Sequence, residues 1–137
     1  MVDPREESRR WLEQAQRDLD DASFCARGER HNLACFLCQQ SAEKALKAYL
    51  YARGNPVVWG HSVEELCRQA SQTEAEFESL RRKVGKLDRF YILTRYPNGL
   101  PGGLPSDSFD AGDSRQAMDL TREAIDFVAQ RIGPPAT

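Results

Sequence analysis

His31–Arg53, HNLACFLCQQSAEKALKAYLYAR, is the stretch on which the fold turns. Ala34, Cys38, Ser41, Ala45, Ala48 and Ala52 recur at steps of three and four, which places them on one face of a helix. Small side chains at that spacing let neighbouring helices approach closely, so this helix is expected at the centre of the molecule. Gln40, Glu43, Lys44 and Lys47 fall together on roughly the opposite side. Two readings of that side stay open: a solvated face with a weak Glu43–Lys47 pair worth about 0.3–0.5 kcal/mol, or a ledge of Lys44 and Lys47 for phosphate with Gln40 as a hydrogen-bonding neighbour.

Outward from this helix, apolar residues keep helical spacing and no stretch alternates as a strand does. Upstream, Asp3 as N-cap and Pro4 at the first helical position open a helix to about Arg27, striped by Trp11, Ala15, Leu19, Ala22 and Ala26 and stopped at Gly28. Downstream, Gly54–Gly60 is a connector, and Ser62 with Glu65 is a capping box for a short helix. Thr73 with Glu76 reads as a second capping box, opening a long helix striped by Phe77, Leu80, Val84, Leu87 and Tyr91. Asp88 and Arg95, seven residues apart, share an edge of that stripe. From Pro97 to about 110 the chain reads as a Gly/Pro loop of a length enriched in binding functions. A last helix runs from about Asp110 to Ile132, with Ala117, Leu120, Ala124, Phe127 and Val128 facing in, and Gly133, Pro134 and Pro135 end it. The expectation is a single all-α domain over residues 1–137, an up-and-down bundle of four long helices plus one short one.

The chain has 137 residues and a formal charge of −2, with a pI near 5.7. No global cationic field draws it to nucleic acid, so any such contact must come from a local patch. No apolar run approaches membrane-spanning length, and the charged start MVDPREESRRWLEQ lacks the apolar centre of a signal peptide. A cytoplasmic protein with four reduced cysteines is expected. Cys35 and Cys38 form a CxxC inside a helix, without the second ligand pair that zinc needs, so no metal is expected. P-loop, Rossmann, zincin and hydrolase-elbow motifs are absent. With two histidines and no activated nucleophile, the residues do not advertise catalysis.

Three blocks, Cys35–Leu50 (CFLCQQSAEKALKAYL), Gly60–Leu66 (GHSVEEL) and Leu87–Pro97 (LDRFYILTRYP), together resemble the HEPN domain family, the "higher eukaryotes and prokaryotes nucleotide-binding" domains, in order and spacing from about Arg9 to Ile132. The resemblance implies a helical bundle, usually a homodimer, often encoded beside a small nucleotidyltransferase in a toxin–antitoxin-like pair. Its nuclease branch carries an Arg, four to six residues, then a His. Arg95 stands at the first position, but no histidine follows it. The resemblance therefore implies binding without turnover: a nucleotide such as ATP or GTP, or an RNA end, with no cofactor. Expected ligand contacts are Arg95 for phosphate, Tyr96 and Tyr91 for stacking, Asp88 to orient Arg95, Lys44 and Lys47 as supporting charges, and Gln40 and His61 in lesser roles. Two alternatives stay open, a diverged metal-independent RNase that recruits His61 and a dimeric protein-interaction module without a ligand.

Overall fold

A computed structural model describes residues 3–132. Its helices are α1 (Pro4–Arg27), α2 (His31–Ala52), α3 (Val63–Ser71), α4 (Phe77–Val84), α5 (Phe90–Leu93), α6 (Pro105–Ser108) and α7 (Ala111–Ile132), with 3₁₀ turns at Gly85–Arg89 and Pro97–Gly99. Among the described residues there is no strand.

α1 starts as its sequence dictates, with the Asp3 carboxylate accepting from Arg5 N–H and Pro4 in the first turn. It stops at Gly28, but the left-handed residue of the turn is Glu29 (φ 58°). Glu29 N–H and Arg30 N–H then donate to the carbonyls of Ala26 and Cys25, which closes the helix end. α2 returns antiparallel to α1. Ser8 Oγ donates to Ala48 O at 2.7 Å and Ser41 Oγ to Ala15 O at 2.6 Å, so small residues bring the two backbones within one side chain of each other.

α7 runs parallel to α2, since His31 bonds Ser114 at 2.9 Å and, one stretch along, Thr121 Oγ1 donates to Cys38 O at 3.2 Å. α4 opposes α7, with Phe77 edge-on to Phe127 at 4.8 Å and Lys83 paired to Glu123 at 2.8 Å. The four directions therefore alternate up and down, as expected from the periodicity. α2 is central, with 13 of its 22 residues buried.

Three local expectations need correction. Thr73 and Glu76 do not form a capping box: Glu76 is helical itself and caps with no side chain. Phe77 N–H and Glu78 N–H instead donate three residues back, to Glu74 and Ala75, so a tight turn satisfies the donors that Thr73 would have capped. The fourth helical path, Phe77 to Leu93, is interrupted by the 3₁₀ turn at Gly85–Arg89; Phe77, Leu80, Val84 and Leu87 keep the expected buried stripe, but Phe90 takes the buried place expected of Tyr91, which is half-buried. The stretch after Tyr96 is not structureless, because Pro97 and Pro105 each start a single helical turn. Pro105 is buried, and Phe109 packs edge-on to Phe90 at 5.9 Å, which fastens the segment to the bundle. Gly133, Pro134 and Pro135 lie outside the described residues.

Candidate functional site

Arg95 follows α5 and folds back over it. Its Nε donates to Tyr91 O at 2.8 Å and a terminal nitrogen donates to the same carbonyl at 2.5 Å. The guanidinium carbon lies 4.2 Å from the ring centre of Phe36, 4.8 Å from Tyr91 and 5.1 Å from Tyr96. Three aromatic faces and one carbonyl thus hold a cation that, among the described residues, forms no ion pair. Part of its fork stays unoccupied, since a guanidinium carries five N–H donors. Tyr96, half exposed, stands at the solvent edge of this cradle.

His61, from the α2–α3 connector, stacks on Tyr91 with ring centres 5.6 Å apart and planes at 17°. Its Nδ1 meets Glu43 Oε1 at 3.2 Å. An ionised carboxylate only accepts, so Nδ1 is the donor in this contact. The His61 side chain is 63% exposed. Tyr91 is therefore engaged by both Arg95 and His61, which come from separate segments of the chain.

Asp88 does not orient Arg95. Its carboxylate accepts from Val63 N–H at 2.7 Å, Glu64 N–H at 3.1 Å and Ser62 Oγ at 2.8 Å, and so caps α3. Ser62 in turn accepts from Glu65 N–H at 3.1 Å, as the capping-box reading expected. Gln39 Nε2 also reaches Asp88, at 3.4 Å, which leaves no lone pair directed at Arg95.

The polar side of α2 is neither a solvated face nor a free cationic ledge. Glu43 and Lys47 form the expected pair at 3.1 Å, but both side chains are buried, at 5% and 7% exposure. Lys47 also lies 5.4 Å above the Trp11 ring. Lys44 is paired with Asp18 of α1 at 2.5 Å, and Gln40 donates to Gln39 Oε1 at 2.8 Å. Asp18 and Trp11 of α1 meet Lys44 and Lys47, and Glu43 joins Lys47 to His61, so both lysines are paired within the bundle. An open groove of about 420 Å³ runs nearby between Trp11, Gln14 and Lys44. The arginines on its rim, Arg10 and Arg17, are paired with Glu7 and Glu13, so it presents no spare cation.

Burial pushes the Cys35 and Cys38 thiols up to about 12. Neither is available as a thiolate ligand near neutral pH. Among the described residues no cluster of three metal-ligating side chains occurs, and no helix is long and apolar enough to cross a membrane.

Phe36 is the site residue that sequence reasoning missed. It lies off the small-residue stripe of α2, and an aromatic on that side was the signal.

Solved structures share this arrangement of helices. The chain superimposes on TT1696 from Thermus thermophilus with a TM-score of 0.83 at 36% identity, covering 89% of this chain and 95% of that one. ST0689, described as an archaeal HEPN homologue, gives a TM-score of 0.74 at 30% identity, covering 93% and 98%. No functionally curated protein matches. The HEPN domain profile matches residues 8–132, and the chain belongs to the HEPN domain family.

Proposed function

We propose that this chain is a non-catalytic HEPN module that binds a nucleotide or an RNA end, with the phosphate at Arg95 and a base against Tyr96. The observation that carries this reading is Arg95 itself, a guanidinium held among Phe36, Tyr91 and Tyr96 and without an ion pair among the described residues. A cation fixed by aromatic walls meets a phosphate at little entropic cost, and adjacent tyrosine offers a base its flat face. Family membership supports a homodimer and a small nucleotidyltransferase partner, as in a toxin–antitoxin-like pair. Absence of a histidine after Arg95 supports binding without cleavage. Titration of ATP, GTP and short RNA against the protein and against Arg95→Gln tests this. Binding by the parent and a loss of tenfold or more in the variant is expected; equal binding, or none by either, overturns it.

A second reading is favoured by one observation. His61 is oriented by Glu43 and shares Tyr91 with Arg95, so an imidazole Nε2 and a phosphate-binding cation lie on one surface. That arrangement suits a metal-independent RNase with His61 as the proton acceptor. RNA cleavage in chelator, lost in His61→Ala, would select this reading over the first.

A further inference from the structure

The segment Arg81–Arg89 carries five cations, Arg81, Arg82, Lys83, Lys86 and Arg89, against one carboxylate, Asp88. Two of the cations are neutralised: Arg81 pairs with Glu64 and Glu78, and Lys83 pairs with Glu123. Asp88 is turned inward onto the N-terminus of α3. Arg82, Lys86 and Arg89 remain, all exposed and without an ion pair among the described residues. The exposed arginines of the long helices divide evenly: Arg10, Arg17 and Arg122 are matched to a carboxylate one turn away, and Arg5, Arg27 and Arg115 have no ion pair among the described residues.

These three residues recur at steps of four and three, which places them along one side of the helical path. The step from 82 to 86 crosses from the last turn of α4 into the 3₁₀ turn, and that from 86 to 89 is one turn of 3₁₀ helix. Successive charges are therefore about one turn, roughly 6 Å, apart along the axis. The same exposed edge continues through Ile92 to Tyr96, at 44% and 50% exposure. The edge thus ends at Tyr96, next to Arg95 in the chain, on a molecule whose net charge is −2.

We infer that Arg82, Lys86 and Arg89 form a backbone track for single-stranded nucleic acid entering the Arg95 site, so that the ligand is a polynucleotide rather than a free nucleotide. This rests on a phosphate seated at Arg95. Charges repeated once per turn match a polyanion with a regular phosphate repeat, and an aromatic platform at the end of a basic track is how unpaired strands are held without sequence readout. A duplex keeps its bases stacked inside and would leave Tyr96 without a partner. A convex helix edge with only Ile92 and Tyr96 apolar offers little area to insert into a lipid surface.

Anisotropy of fluorescein-labelled oligouridylates and oligodeoxythymidylates of two, four, eight and twelve nucleotides tests the track, with unlabelled UMP and UTP as competitors. The proteins compared are the parent, Arg95→Gln, and the triple variant Arg82→Gln/Lys86→Gln/Arg89→Gln, whose changes lie on exposed positions. Affinity should rise with length up to about four to eight nucleotides. The triple variant should bind the octamer roughly tenfold more weakly, lower the slope of log K against log salt by about two, and bind UMP as the parent does. Octamer binding by the triple variant equal to the parent's, or parent affinity equal for UMP and the octamer, overturns the track. Tighter binding to anionic phosphatidylserine vesicles than to any oligonucleotide overturns it in favour of a lipid surface. Failure of the Arg95 reading is separately visible, because Arg95→Gln would then bind every length as the parent does.

Discussion

The Asp88 carboxylate accepts the Val63 N–H at 2.7 Å and so fastens the 3₁₀ turn of one helical path to the N-terminus of another helix. A second bond, to Glu64 N–H, and a third, from Ser62, make Asp88 the cap of α3 supplied from outside that helix. The relationship explains why an acidic residue on the stripe edge of Arg95 is not its partner.

Asp88→Ala should therefore lower stability by about 1–2 kcal/mol through the loss of a helix cap. Urea unfolding measures this, and the affinity of the Arg95 site for nucleotide should change less than twofold. A large affinity loss at unchanged stability would restore Asp88 as an orienter of Arg95.

The Glu43–Lys47 pair makes a second prediction. Because both groups are buried, Glu43→Ala leaves Lys47 with an uncompensated charge and should cost about 3–5 kcal/mol, whereas Glu43→Met/Lys47→Met should cost much less than either single change. A cost of about 1 kcal/mol or less for the single variants, as for an exposed pair, would show that water reaches this side of α2.

How far this was readable from sequence differs between the two faces of α2. Ala34, Cys38, Ser41, Ala45 and Ala48 are all buried and Ala52, in the last turn, is half-buried, because a helical period survives in the order of small residues. Gln40, Glu43, Lys44 and Lys47 carry the same period, but α1 meets the two lysines and His61 meets Glu43, and local order holds no record of which polar face receives a neighbour. The meeting of Phe36 with Arg95 joins residues far apart in the chain and depends on how α5 seats against α2. The 3₁₀ turn was illegible for another reason: steps of three and four satisfy either helix, and the bonds of Asp88 to α3 that accompany the change are long-range.

Cysteine chemistry gives a third prediction. Burial pushes Cys35, Cys38 and Cys67 to about 12, against an ordinary 9.0. In the folded protein Cys25 should react first with a thiol reagent and the other three only on unfolding. The unfolded chain releases thiol protons above about pH 9 that the folded chain keeps, so these groups stabilise fully below pH 9 and their contribution falls as pH rises towards 12. Thermal melts between pH 8 and 10.5 should show this decline, with a shallower slope in Cys38→Ala. An unchanged slope in that variant would contradict the assignment.

The central claim, that Arg95 in its aromatic cradle receives a phosphate, is tested most directly by a crystal structure of the protein soaked with a short oligonucleotide or with tungstate as a heavy phosphate mimic. The account predicts anomalous density within hydrogen-bonding distance of the Arg95 guanidinium, with a base or solvent-ordered group against Tyr96. Density confined to the α1 groove beside Arg10 and Lys44, with Arg95 still turned only to Tyr91 O, would contradict it.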